Sequence, residues 1–113
     1  MKTVTRDEVQ RVIDTHANVI IVDALDEDAF AEGHLPGAIN IPADKVEELA
    51  PALLKNKDQK IITYCGKASC QKSKLAAGAL EGMGFVNVSA YEAGKEDWTG
   101  AGLPLANDDT RAE

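Results

Sequence analysis

"KIITYCGKASCQKSKLAAGALEGMGFVNVSAY", residues 60 to 91, is the stretch whose reading decides the fold. It opens on Ile61, Ile62, Thr63 and Tyr64, a short run of β-branched and aromatic residues that reads as a strand. Residues 65 to 71 are small, polar or cationic. From about Ser73, the spacing of Leu75, Ala76, Ala79, Leu80 and Met83 predicts a helix with one apolar face, and Gly84 stops it. "FVNVSAY" (85–91) is a strand again. A strand, a crossover helix and a second strand form the unit of a parallel sheet.

The same alternation extends in both directions. Thr5 and Glu8 fit a capping box, and Val9, Val12 and Ile13 make the apolar face of a first helix. "NVIIVD" (18–23) is a continuous apolar run, the pattern of a strand buried on both faces. "DEDAFAEGH" (26–34) is a short helix closed by Gly33. Pro36-Gly37 marks a turn, and Ile39 and Ile41 alternate as in a strand. Asp44 is expected to cap a helix carrying Val46, Leu49, Leu53 and Leu54, which Pro51 is expected to kink or split. In "AGKEDWTGAGLPL" (93–105), Trp98 anchors a short last helix. "ANDDTRAE" (106–113) reads as a frayed polar tail. The expectation is one α/β domain over residues 1–105 with a mostly parallel sheet.

Composition narrows the function. The chain has 113 residues, 44% hydrophobic and 27% charged, with a formal net charge of -7. That balance argues against a general nucleic-acid binder, which needs a basic surface. It does not bear on a small anion, which feels only its local site. No apolar run reaches membrane length, and the N-terminus lacks the apolar core of a signal peptide. The expected protein is cytoplasmic, with no membrane partner. Two cysteines, Cys65 and Cys70, are too few for a disulfide scaffold and are expected as free thiols.

Cys65 ends a strand, where open parallel sheets bind ligands. The next helix start offers free amides and the positive end of a dipole. Gly66, Ala68 and Ser69 are small enough for a nest of amides, with Cys70 and Gln71 completing the curl, while Lys67 and Lys72 add charge. Such surroundings are expected to lower the Cys65 pKa and produce a nucleophilic thiolate for a small anionic substrate. An inert buried cysteine fits the same position, and the stretch by itself does not separate the two.

At this point the chain resembles a single-domain rhodanese. "VDALDEDAFAEGHLPGAINIP" (22–42) is similar to the family's first signature, on Asp23, Phe30, Gly33, His34, Gly37, Ala38, Ile41 and Pro42. "GFVNVSAYEAGKEDW" (84–98) resembles the second, on Gly84, Phe85, Val88, Tyr91, Gly94 and Trp98. "IITYC" resembles the strand delivering the catalytic cysteine, which assigns that role to Cys65. The resemblance implies a three-layer rhodanese-like domain with helices on both faces of the sheet. It also implies a sulfurtransferase of the thiosulfate:cyanide class. Cys65 would take sulfur from thiosulfate or a persulfide and pass it, as a persulfide, to cyanide, a thiol or a protein. Gly66, Lys67, Ala68, Ser69, Cys70, Gln71 and Lys72 would bind the donor, with Asp23, His34 and Ser73 in support. No cofactor or metal is implied, and a monomer or weak homodimer is expected.

Three departures stand out. The common family loop is Cys, four residues, Arg, Ser, and here Ser73 lies two positions further on. The loop contains no arginine, and Lys67 and Lys72 cannot supply a bidentate fork. The usual Asp-x-Arg is Asp23-Ala24-Leu25. Weak use of thiosulfate is the expected consequence. A phosphatase or arsenate reductase is disfavoured, because phosphoryl oxygens would lack their arginine clamp. A non-catalytic rhodanese-fold binding or regulatory module remains the main rival. A zinc site from Cys65, Cys70, His16 and His34 fits no finger spacing. His34 is expected to hold backbone through its ring, His16 to end the first helix in solvent, and Asp23 to accept loop hydrogen bonds. Cys70 is read either as a packing residue or as a second thiol that attacks the Cys65 persulfide.

Overall fold

The structure is a computed structural model describing residues 2–106. Five parallel strands form one sheet in the order β1-β5-β4-β2-β3. They are β1 (Lys2–Thr3), β2 (Val19–Asp23), β3 (Ile39–Asn40), β4 (Lys60–Tyr64) and β5 (Val88–Tyr91). The helices are α1 (Arg6–Asp14), α2 (Glu27–Glu32), α3 (Val46–Leu53), α4 (Lys72–Gly82) and α5 (Gly94–Gly100). The expected α/β, three-layer architecture is present. The sheet begins with a strand that the pattern does not announce: β1 is two exposed residues paired with Ser89 and Ala90 of β5.

Alternation along the strands sorts the core into two layers. Val22 and Ile61 face α3 and α4, packing with Val46, Ala50, Ala76, Ala77 and Leu80. Ile21, Ile62 and Tyr64 face α1, α2 and α5, packing with Val9, Phe30, Leu35 and Trp98. β4 lies between β2 and β5 and is fully buried from Ile61 to Tyr64, so its carboxyl end opens at the centre of the sheet edge.

Local signals were met unevenly. Thr5 Oγ1 accepts from the Glu8 amide at 3.4 Å, starting α1 as expected. Asp44 does not cap α3. The chain enters through a 3-10 turn over Ala43–Lys45, so Asp44 is already inside a helical turn and makes no cap bond. Pro51 falls in the last turn of α3, which continues to Leu53 without splitting. Leu53 and Leu75 are exposed at 47% and 62%. In α4 the buried face is Ser73, Ala76, Ala77 and Leu80, a stripe at helical spacing, and Leu75 lies to one side of it. Small residues bring α4 close to the sheet, a packing that a search for large apolar residues misplaces.

Ala106 exchanges both backbone bonds with His34, at 2.8 and 2.9 Å. The remainder of the expected polar tail, 107–113, lies outside the described residues. No described helix is long and apolar enough to cross a membrane.

Tyr64 is, with Tyr91, among the largest fully buried side chains, and it is a hub. Its hydroxyl donates to Asp23 Oδ2 at 2.7 Å and accepts from the Leu35 amide at 2.9 Å. Tyr64→Phe leaves a carboxylate oxygen and an amide without that partner in the core. The expected cost is about 1–3 kcal/mol, a fall in Tm of roughly 4–8 °C for each kcal/mol in a domain of this size. Thermal unfolding of the two proteins checks it, and an unchanged Tm contradicts the hub.

Candidate active site

Cys65 follows the last residue of β4 and is fully buried. Three neighbours hold the chain here. On one side Thr63 Oγ1 donates to the Ser73 carbonyl at 2.8 Å, pinning the first turn of α4 to β4. On another, Tyr64 reaches Asp23. On the third, the free amides at the start of α5 bond the loop: Lys95 N donates to Cys65 O at 2.9 Å and Glu96 N to Gly66 O at 2.8 Å. That docking requires Gly94, whose φ is +70°. A Cβ there would collide with the Cys65 carbonyl oxygen and lie 3.0 Å from Gly66 C and Lys67 N.

The loop from Gly66 to Gln71 then curls back. Cys70 N donates to Lys67 O at 3.0 Å, closing a turn that returns Cys70 to Cys65. The Cys65 thiol donates to the Cys70 carbonyl at 3.4 Å and lies within hydrogen-bonding reach of the Cys70 sulfur. Both cysteines are free. The start of α4 addresses this pair: the Ser73 amide and hydroxyl lie beside Cys65, and the Lys72 amide reaches Cys70, as does that of Gly66. Ser73 Oγ is buried and makes no hydrogen bond of good geometry in the resting loop. It is an unspent donor beside the Cys65 sulfur.

The electrostatics correct one expectation. Burial pushes the Cys65 thiol up from its ordinary value, and its hydrogen bond to Cys70 adds to this, outweighing Ser73. Cys70 is the more acidic thiol. Partial burial opposes its ionisation, but the Cys65 thiol, the Lys72 and Gly66 amides and the Lys72 charge together hold it below the ordinary value. Of the groups predicted to activate Cys65, the Gly66 and Lys72 amides and the Lys72 charge act on Cys70, the Ser73 amide lies beside Cys65, and Lys67, Ala68 and Ser69 are exposed.

The remaining predicted residues fall into two groups. Gly66, Cys70, Lys72 and Ser73 meet the sulfurs, while Lys67, Ala68, Ser69 and Gln71 are exposed along the loop. Asp23 is the expected acceptor of loop hydrogen bonds: Oδ1 takes the Leu25 amide at 2.9 Å. Burial holds its carboxyl above the usual value, against the Tyr64 and Leu25 bonds and the positive charge of Lys95. His34 is the expected backbone holder, with Nδ1 2.9 Å from Phe30 O and its ring stacked on Phe30 at 3.8 Å. His16 is exposed at the end of α1, in a left-handed conformation with φ 52°. Among the described residues, no three His, Cys, Asp or Glu side chains gather as a metal set.

Two site residues escaped the sequence reading. Lys95 Nζ donates to Gly33 O at 2.6 Å and Ala29 O at 3.1 Å, tying α5 to the end of α2. Asn40 Nδ2 holds the Asp23 and Leu25 carbonyls at 3.0 and 2.8 Å. Neither carries a motif signal, because each acts across the fold on backbone oxygens. At the same sheet edge a pocket of about 500 Å3 is lined by Ala24, Asp26, Pro42, Asp44, Lys72 and Leu75, among others. Lys72 is its one cation.

The fold has counterparts among known proteins. The model of the Rhodanese-like domain matches residues 5–101, and the chain belongs to that family. The uncharacterized protein YibN of Escherichia coli strain K12 is 34% identical over 107 residues, covering 93% of this chain and 72% of that protein. The putative sulfur carrier protein YrkF of Bacillus subtilis is 28% identical, covering 86% of this chain and 50% of its own length. Among solved structures, the BH2092 protein of Bacillus halodurans superposes with a TM-score of 0.86 at 29% identity, covering 94% of this chain and 77% of that one.

Two outcomes are expected. Gly94→Ala should destabilise the fold and loosen the loop, because a left-handed residue with no room for Cβ must shift the Cys65 carbonyl; the expected loss is at least about 1–3 kcal/mol. Chemical denaturation measures it, and a neutral result contradicts the docking. Alkylation near neutral pH should label Cys70 before Cys65, since Cys70 is half-exposed and ionises below the ordinary thiol value while Cys65 ionises above it. Trypsin separates the two on peptides 61–67 and 68–72. Faster labelling of Cys65 contradicts the assignment.

Proposed function

We propose that the chain is a sulfurtransferase that carries sulfane sulfur on Cys65. One observation supports this most: a thiol fixed at the carboxyl end of the central strand, with the unpaired Ser73 hydroxyl and the α4 amide of Ser73 beside its sulfur. An anion on that sulfur would satisfy both donors. In the reaction, the Cys65 thiolate attacks the outer sulfur of a donor. The new bond joins Cys65 Sγ to that sulfur, and the donor's remainder leaves with the electron pair, as sulfite when the donor is thiosulfate. An acceptor nucleophile, such as a thiol or cyanide, then takes the outer sulfur and Cys65 leaves as thiolate. The elevated pKa of Cys65 lies within this scheme: loss of its proton to water precedes attack.

The donor favoured by the surroundings is an organic persulfide over thiosulfate. The adjoining pocket holds two carboxylates, Asp26 and Asp44, against the one ammonium of Lys72. No arginine lies in the loop or in Asp23-Ala24-Leu25. A dianion therefore meets little compensating charge. A relative named as a putative sulfur carrier, YrkF, accords with a persulfide-handling role.

The burial of Cys65 favours one second reading, a binding module that uses the loop face without chemistry. Steady-state donor profiling separates the two. Transfer from a low-molecular-weight persulfide to a thiol acceptor should exceed transfer from thiosulfate in kcat/KM, and Cys65→Ser should lose turnover with both while keeping its fold. Equal turnover by Cys65→Ser, or none by the wild type with any donor, contradicts the transferase. Robust use of thiosulfate contradicts the donor preference alone.

A further inference from the structure

Transfer to an external acceptor uses one thiol of the loop, yet the loop is built around two. The turn closed by Cys70 N and Lys67 O brings Cys70 back over Cys65. The Cys65 thiol points at Cys70, 3.4 Å from its carbonyl. The amides of Gly66 and Lys72 lie near enough to the Cys70 sulfur to favour its anion. Cys70 is half-buried, between the sealed Cys65 and solvent. A residue that only filled space would need none of these donors.

We propose that Cys70 is a resolving thiol that attacks the Cys65 persulfide, forming a Cys65–Cys70 disulfide and expelling hydrosulfide, which gives the protein a second activity: reductive release of sulfane sulfur. This rests on the Cys65 persulfide proposed above. The sulfur that Cys70 faces in the resting loop is Cys65 Sγ, the inner sulfur of that persulfide. The Cys70 thiolate forms the new bond to Cys65 Sγ. The bond from Cys65 Sγ to the outer sulfur breaks, and the outer sulfur leaves with the electron pair as hydrosulfide. The oxidising equivalent that arrived with the sulfane sulfur ends in the disulfide, so no further oxidant is consumed. A dithiol reductant resets the site by thiol–disulfide exchange. The Gly66 and Lys72 amides and the Lys72 ammonium favour the ionised form of the attacking group, and the exchange rate rises with that form.

The test is a single turnover without oxygen or reductant, using thiosulfate at a concentration that fully persulfidates Cys70→Ser. Thiosulfate delivers sulfur with sulfite as the leaving group, so any hydrosulfide comes from resolution. Intact mass should show Cys70→Ser one sulfur heavier and releasing no hydrosulfide. The wild type should end two hydrogens lighter, with one hydrosulfide per chain, losing its persulfide about tenfold faster or more. A wild-type chain that stays one sulfur heavier as long as Cys70→Ser overturns the proposal, as does extra sulfur on peptide 68–72 in place of a disulfide. If Cys70→Ser takes up no sulfur from thiosulfate or from a low-molecular-weight persulfide at any concentration, the Cys65 persulfide itself is refuted, and the resolving role with it.

Discussion

Three consecutive residues at the end of β4 are each tied to a different part of the chain, and the site depends on that arrangement. Thr63 holds the first turn of α4, Tyr64 holds Asp23 and the Leu35 amide, and the Cys65 carbonyl receives an amide from the start of α5. The Thr63 bond reaches the next helix, and the Tyr64 and Cys65 bonds reach elements about 30 to 40 residues away in sequence. The strand supplies rigidity because it is paired on both edges, with β2 and β5. The cysteine is therefore placed by the core rather than by its loop. Removing one tie leaves the others to bear the position, but Gly94 has no substitute, since any Cβ there enters the Cys65 carbonyl.

Rigidity and burial carry a chemical consequence. A thiol sealed at a strand end resists ionisation, because the interior disfavours charge. The loop answers by placing a second thiol where amides and Lys72 favour the anion, in hydrogen-bonding reach of the first. Under the proposed function, the pair divides two demands that conflict in a single residue: a protected position for the carried sulfur and an acidic, reachable thiol. Ser73 adds a buried hydroxyl that makes no hydrogen bond of good geometry in the resting loop and lies beside the Cys65 sulfur, where it favours negative charge.

Much of the fold is legible in sequence because strands buried on both faces leave uninterrupted apolar runs, as "NVIIVD" and "KIITY" do. Short pairings leave no such trace: β1 is two exposed residues recognisable only through their contact with β5. Leu75 misleads because α4 packs through Ala76, Ala77 and Ser73, so close approach outweighs side-chain size. At the site, Cys65 and the helix start were readable from their order along the chain. The acidity was not, because it depends on which sulfur the amides point to, and that follows from the turn between Lys67 and Cys70. Lys95 and Asn40 bind carbonyls, and a carbonyl has no letter in a sequence.

The central claim is that Cys65 is the residue that holds the transferred sulfur. Its most direct test is intact mass of Cys65→Ser and Cys70→Ser after parallel incubation with a sulfane-sulfur donor without oxygen. The account predicts one added sulfur on Cys70→Ser, removable by cyanide, and none on Cys65→Ser. Equal uptake by Cys65→Ser would contradict it, since the more acidic and more accessible thiol would then be the carrier and the buried cysteine only its neighbour.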